Sequence, residues 1–130
     1  MTKYLIALHP NSSSILEWVW DYSREDDTLY ILSIIDEFNT VVGEEEMSRQ
    51  LITSLVHKLQ DKYEKPVHYQ ILIVAGADPG ELIVQKGMEL KPAMIIMGKR
   101  NRNALTSVVL GSCSLFVLEH ANCPVTIIKT

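Results

Sequence analysis

Residues that could bind a phosphate group cluster in the last third of the chain. An apolar segment from Met94 to Met97 runs into Gly98, and after a basic loop Gly111 and Ser112 begin a serine-rich segment. Three cations lie in that loop: Lys99, Arg100 and Arg102. Small residues let backbone amides approach a phosphate closely, and nearby cations attract it. This spacing favours a nucleotide site, although the same residues also suit an exposed loop between a turn glycine, Gly98, and a packing glycine, Gly111.

Side chains that could catalyse a reaction are not grouped in the sequence. There is no Gly-x4-Gly-Lys-[Ser/Thr] phosphate loop, and no Gly-x-Gly-x2-Gly follows the first apolar segment. The four histidines and two cysteines lack the spacing of metal ligands. Only Asp36 and Glu37 supply carboxylates near the expected ligand site. The sequence assigns no catalytic residue and no metal site, leaves enzymatic activity open, and allows at most slow nucleotide hydrolysis.

Composition and charge exclude several classes of protein. At 130 residues, 47% of them hydrophobic, the chain fits one globular domain, residues 1–130. A net charge of −4 argues against a general nucleic-acid binder. No apolar run is long enough to span a bilayer, and the first residues lack the features of a signal peptide. We therefore expect a cytoplasmic protein whose cysteines, Cys113 and Cys123, are free thiols.

Apolar segments of strand length alternate with amphipathic helical segments throughout the chain. Such alternation predicts an α/β fold with an open parallel sheet and right-handed crossovers. The predicted strands are Tyr4–Leu8, Thr28–Ile35, Val67–Ala75, Met94–Met97 and Val125–Lys129. In such a sheet, ligands bind beyond the carboxyl ends of the strands, which here places loops 9–13, 36–43 and 98–112 at the ligand edge.

The helical segments have amphipathic patterns and capping residues that can be recognised from the sequence. Helical spacing puts Ile15, Trp18, Val19 and Tyr22 on one face of the first helix. The second helix has an apolar stripe of Met47, Leu51, Leu55 and Leu59, flanked by Ile52 and Val56. Asp78 is the expected N-cap of the third helix, with Pro79 at its first position.

Taken together, these motifs resemble the universal stress protein family, over the chain from Lys3 to Lys129. The family's ATP-binding members carry Gly-x2-Gly-x9-Gly-[Ser/Thr] between the fourth strand and the fourth helix. This chain has Gly98, then Asn101 at the second glycine, then Gly111-Ser112. Its ending, Cys123-Pro-Val-Thr-Ile-Ile, and its segment Gly76-Ala-Asp-Pro-Gly-Glu-Leu-Ile are also similar to the family pattern.

The resemblance implies a fold, a ligand and an assembly. The implied fold is a Rossmann-like five-stranded parallel sheet, of order 3-2-1-4-5, flanked by four helices. The implied protein is a stress-response homodimer, paired through Val125–Lys129, that binds ATP or AMP as a regulatory ligand, with Mg²⁺ accompanying ATP. The implied nucleotide contacts are Ala7, Leu8, His9, Ile34, Met97, Gly98, Lys99, Asn101, Gly111, Ser112, Cys113 and Ser114.

Two residues depart from the family pattern. His9 stands where the family commonly has an aspartate, and Asn101 replaces the second loop glycine. Asparagine tolerates left-handed backbone angles, but its side chain occupies space next to the phosphates. For His9, a ligand contact and a simple bond to backbone are equally good interpretations. The alternative to a nucleotide-binding module is therefore a stress-response interaction protein that works without a nucleotide.

Overall fold

The fold alternates strands and helices along the whole described chain. The computed structural model describes residues 1–8, 13–35, 42–99 and 111–129, with the backbone alone at Lys99. The strands are β1 Lys3–Ala7, β2 Thr28–Ile35, β3 His68–Ala75, β4 Met94–Lys99 and β5 Val125–Lys129. The helices are α1 Ser13–Tyr22, α2 Glu44–Tyr63, α3 Pro79–Leu90 and α4 Ser112–His120.

All five strands join one parallel sheet in the order β3-β2-β1-β4-β5, which confirms the predicted topology. At the carboxyl end of β1, Ala7 is paired with Leu32 on one side and with Met97 on the other. The chain moves outwards from β1 in one direction, then returns and moves outwards from β4 in the other. This reversal between β1 and β4 is where open α/β sheets bind ligands.

The sheet separates two apolar layers because successive side chains of a strand point to opposite faces. Tyr4 and Ile6 of β1 pack in the layer that contains the buried residues of α1 and α2. Leu5 and Ala7 pack in the layer that contains α3 and α4. Thus α1 and α2, the first two helices of the chain, cover one face of the sheet, and α3 and α4, the last two, cover the other.

The buried face of α1 differs from the predicted one. Ile15 and Val19 are buried as expected, but they are joined by Leu16 and Trp20, whereas Trp18 and Tyr22 stay 39% and 54% exposed. Trp20 can be fully buried because its indole Nε1–H donates to the Lys65 carbonyl, at 2.9 Å. The rings of Trp18 and Tyr22 stack on each other outside the core, with centroids 5.0 Å apart.

On α2, the predicted stripe is buried only in its later turns. Ile52, Val56 and Leu59 are buried, but Met47 and Leu51 are 62% and 71% exposed. The prediction was therefore wrong for the first two turns of this helix.

The start of α3 agrees with the prediction. Asp78 is the N-cap, its carboxylate accepts a hydrogen bond from the Glu81 amide, and Pro79 is the first helical residue. A β-carbon added at Gly80 would lie 3.1 Å from Cδ1 and 3.2 Å from Cβ of Phe116 on α4. The absence of a side chain at Gly80 therefore lets the first turn of α3 pack closely against α4 at Phe116.

Candidate functional site

A cavity of about 350 Å³ lies at the carboxyl ends of β1, β2 and β4, on the face covered by α3 and α4. The structure brings most of the predicted contact residues together in its lining. Seven of them line it: Ala7, Leu8, Ile34, Met97, Gly98, Cys113 and Ser114. These residues come from three strand ends and the first turn of α4, so the strand reversal assembles them.

The other predicted contacts are placed differently. Gly111 and Ser112 are described at the start of α4 but do not belong to the cavity lining. Lys99 ends β4 in register with Lys129, and its side chain lies outside the described part of the chain. His9 and Asn101 also lie outside the described residues. So do the loop cations Arg100 and Arg102 and the acidic residues Asp36 and Glu37.

Three lining residues were missed by sequence reasoning. Leu32 precedes Ile34 by two positions in β2, so both side chains point to the same face. Pro79 and Ile83 stand four residues apart on α3, which puts them on one face of that helix. Pro79 marks the start of α3, and α3 follows β3, so it begins at the carboxyl ends of the strands. The proline could therefore have suggested that this turn lies near the ligand edge.

The first turn of α4 presents backbone donors at the rim of the cavity. Gly111 is its N-cap and supplies no side-chain cap, while its carbonyl accepts from Leu115 N at 3.1 Å. The first amides of a helix have no partner within it, and the helix dipole makes this end partly positive. Cys113 and Ser114 therefore combine cavity lining with a position in an anion-attracting turn.

Among the described residues, Asp78 places a charge near this turn. Burial raises the pKa of the Cys113 thiol, and the nearby Asp78 carboxylate raises it further. Among the described lining residues none carries a carboxylate, imidazole, ammonium or guanidinium group. The described walls are thus mostly apolar, with a thiol and a hydroxyl as their side-chain polar groups.

A smaller cavity of about 100 Å³ lies on the opposite face of the sheet and shares Leu8 with the first. Three serines from three different elements, Ser13, Ser33 and Ser48, line it together with apolar residues of α2. Leu8 therefore separates an apolar cavity from a serine-lined one at the end of β1.

The sequence profile of the Universal stress protein family matches residues 4–129, which is nearly the whole chain. The chain belongs to the universal stress protein family. An uncharacterised protein of Schizosaccharomyces pombe is 29% identical to this family member over 137 residues, which cover 97% of this chain and 23% of that protein. A universal stress protein of Methanocaldococcus jannaschii is 26% identical over 115 residues, covering 80% of this chain and 66% of that one. The chain thus spans less than two thirds of the length of these relatives.

Solved structures of universal stress proteins share the fold. One from Archaeoglobus fulgidus superposes with a TM-score of 0.77 at 18% identity, covering 99% of both chains. A second A. fulgidus structure, in complex with dAMP, gives 0.70 at 17% identity, over 99% of this chain and 98% of that chain. A family protein from Arabidopsis thaliana with AMP bound gives 0.66 at 23% identity, over 99% and 91%.

The described residues contain neither a membrane-spanning helix nor a grouped set of metal ligands. Within residues 1–8, 13–35, 42–99 and 111–129, no helix is long and apolar enough to cross a membrane. Over the same ranges, no three or more histidine, cysteine, aspartate or glutamate side chains are grouped so that they could hold a metal ion.

Proposed function

We infer that this universal stress protein binds an adenine nucleotide, AMP or ATP, in the cavity at the carboxyl ends of β1, β2 and β4. The observation that carries the proposal is the position of that cavity. It lies at the strand reversal, and the first turn of α4 forms part of its wall. Ligand cavities of proteins commonly start at about 300 Å³, so a volume of about 350 Å³ suits a nucleotide.

The lining divides into parts that suit the two ends of a nucleotide. The backbone amides at the start of α4, near Cys113 and Ser114, suit a phosphate. Apolar side chains such as Leu8, Ile34 and Met97 suit the faces of a base and ribose. We extend the proposed site to the remaining contacts implied by the family pattern: His9, Lys99, Asn101, Gly111 and Ser112. Mg²⁺ would accompany ATP by binding its phosphates.

The relatives support the choice of ligand. The Arabidopsis family protein has AMP bound, and an A. fulgidus family protein is in complex with dAMP. We propose that the nucleotide is a regulatory ligand without rapid turnover, and that the module acts in a stress response.

We also propose that residues 1–130 form one domain that works as a cytoplasmic homodimer. In the described sheet β5 pairs only with β4, so its other edge is open for a second copy of β5. The two cysteines are not joined in a disulfide, which suits a reducing compartment. Light scattering after size exclusion should give twice the mass of the chain. Ile127→Lys on β5 should lower it to one chain, whereas Ile73→Lys on the opposite edge strand, β3, should not.

Titration calorimetry with ATP, ADP and AMP, with and without Mg²⁺, tests nucleotide binding. Saturable binding of about one nucleotide per chain is the expected result. Absence of heat with every nucleotide, together with the absence of nucleotide in freshly purified and denatured protein, would contradict the proposal. Because His9 and Asn101 depart from the family pattern, that result would favour an interaction protein that needs no nucleotide.

A further inference from the structure

The backbone of β3 has an inner and an outer side, because successive residues of a strand direct their polar groups to opposite sides. Gly76, which follows β3, donates its amide to the Ile35 carbonyl at the end of β2, with N and O 3.1 Å apart. Leu72, four residues earlier, therefore directs its amide and carbonyl towards β2 as well. Ile71 and Ile73 direct theirs outwards, to the side on which β3 has no paired strand in the described sheet.

This outer edge of β3 has the composition of a strand that can pair with another chain. Its middle, Ile71 to Val74, is a run of four partly buried apolar residues. Unpaired apolar edges of this kind promote association between chains. If β3 paired with β3 of a second copy while β5 also paired with β5, the two contacts would alternate and the assembly would not close. An assembly of two chains therefore requires that β3 be kept from pairing.

Arg49 on α2 occupies this edge. Its Nη1 donates to the Ile71 carbonyl oxygen, 3.2 Å away, which is one of the outward-directed groups. Its Nη2 lies 3.8 Å from a carboxylate oxygen of Glu45, one turn earlier on the same helix. A hydrogen bond from a guanidinium group is stronger than one between neutral groups. A strand that arrives at β3 would have to displace this bond and bring its own backbone against a charged side chain, which disfavours pairing.

Building on the proposed dimer, we propose that Arg49 blocks strand addition at β3 and so limits the assembly to two chains. The partner that it excludes is a second copy of the chain, since the apolar run of β3 can pair with itself, antiparallel, about a two-fold axis. Arg49 thus determines which of the two sheet edges is available, and leaves β5 for the dimer.

The test compares the mass of Arg49→Met with that of wild type, by light scattering after size exclusion over a range of concentrations. Methionine keeps an unbranched side chain that suits a helix but removes the donors. We expect Arg49→Met to reach at least twice the wild-type mass at high concentration. Gln50→Met is the matched control: it adds the same side chain one position along α2, where Gln50 bonds Glu46 instead of β3, and should keep the wild-type mass.

Two further measurements locate the new contact. Adding Ile73→Lys to Arg49→Met places a charge on the β3 edge and should restore the wild-type mass. Hydrogen exchange should show that the Ile71 and Ile73 amides become protected in Arg49→Met as its concentration rises, since pairing would bond these outward amides. Arg49→Gln repeats the comparison should the methionine variant fold poorly.

The outcomes separate this role of Arg49 from the dimer itself. A wild-type mass for Arg49→Met at every concentration would overturn the proposal and leave the β5 dimer standing. A larger mass that persists with Ile73→Lys, or that leaves the Ile71 and Ile73 amides unprotected, would also overturn it. If wild type is a monomer, the β5 dimer is wrong, but Arg49→Met should still double the mass by pairing through β3.

Discussion

Gly80 of α3 lies against Phe116 of α4 so closely that a β-carbon on Gly80 would sit 3.2 Å from the Phe116 β-carbon. The ring of Phe116 is stacked on His120, with centroids 4.1 Å apart, and the His120 Nδ1 is 2.9 Å from the Phe116 carbonyl oxygen. Because the Phe116 β-carbon is fixed to the α4 backbone, relief of a clash would require α4 to move. The contact therefore sets the spacing of the two helices that form one wall of the cavity.

Gly80→Ala should destabilise the protein despite the better helix propensity of alanine. Overpacking at a close contact typically costs about 1–3 kcal/mol, and alanine recovers up to about 1 kcal/mol of that in a helix. We expect a net loss of about 1 kcal/mol in urea unfolding, and weaker nucleotide binding because the start of α4 shifts. Gly111→Ala is the control for stability alone, since no described atom lies within 4 Å of a β-carbon there, whereas Gly111 itself belongs to the proposed nucleotide site. Equal stability of Gly80→Ala and wild type would contradict this account of the contact.

Lys65 stabilises the end of α1 from a distant part of the sequence. Its ammonium donates to the carbonyls of Trp20, Asp21 and Ser23, at 3.0, 3.0 and 2.6 Å. A cation at a helix C-terminus is favoured by the dipole, and hydrogen bonds to a charged group are stronger than neutral ones.

Lys65→Met should therefore lower the free energy of unfolding by about 1–3 kcal/mol. The measurement is urea unfolding: the midpoint of the transition should fall, while the dependence of the unfolding free energy on urea concentration stays unchanged. Lys62→Met is the comparison, because Lys62 bonds the Glu17 carboxylate in an exposed ion pair, which contributes little. A loss for Lys62→Met as large as that for Lys65→Met would show that the carbonyl contacts of Lys65 are not what stabilises α1.

Gly111→Arg should abolish nucleotide binding and leave the fold intact. Gly111 has φ −70° and ψ 164°, an extended conformation that any residue adopts, and no described atom lies within 4 Å of an added β-carbon. An arginine side chain can therefore be accommodated by the fold, yet it would fill the space in front of the α4 amides. Calorimetry should show at least a tenfold loss of AMP affinity, with an unchanged circular dichroism spectrum. Unchanged affinity would place the nucleotide elsewhere.

Cys113 and Cys123 offer an internal comparison for the site. Burial raises the pKa of both thiols, but only Cys113, which lines the cavity, is also affected by Asp78. The thiolate is the reactive form, so a raised pKa slows alkylation at neutral pH and the rate increases as the pH rises. Removing the Asp78 charge lowers the pKa of Cys113 and should speed its alkylation at a given pH.

Peptide mass spectrometry after timed iodoacetamide treatment measures the two rates separately. Asp78→Asn should react faster than wild type at Cys113 and equally fast at Cys123. AMP should slow the reaction at Cys113 alone. Protection of both cysteines, or of neither, would argue against a nucleotide bound beside Cys113.

The parts of this fold that were predictable are those decided by neighbouring residues. Alternating apolar segments gave the strands, and the local sequence around Asp78 and Pro79 gave the start of α3. The family resemblance supplied the strand order and pointed to Gly98, Cys113 and other residues that the fold gathers at one edge.

The parts that sequence reasoning missed depend on contacts between distant residues. The choice of Trp20 over Trp18 for burial depends on the Lys65 carbonyl, 45 residues away in sequence. Likewise Ile83 reaches the cavity because the closely packed helices α3 and α4 share one face of the sheet. Helical periodicity cannot reveal either relationship, because it describes one element at a time.

A titration of the ¹⁵N-labelled protein with AMP, followed by amide chemical shifts, tests the central claim most directly because it reports binding and its location together. The account predicts saturable shifts at the carboxyl edge, at Ala7, Gly98, Cys113 and Ser114, and little change at Asn122 or Thr28 at the other end of the sheet. No shifts at millimolar AMP, or shifts centred on the opposite edge, would contradict it.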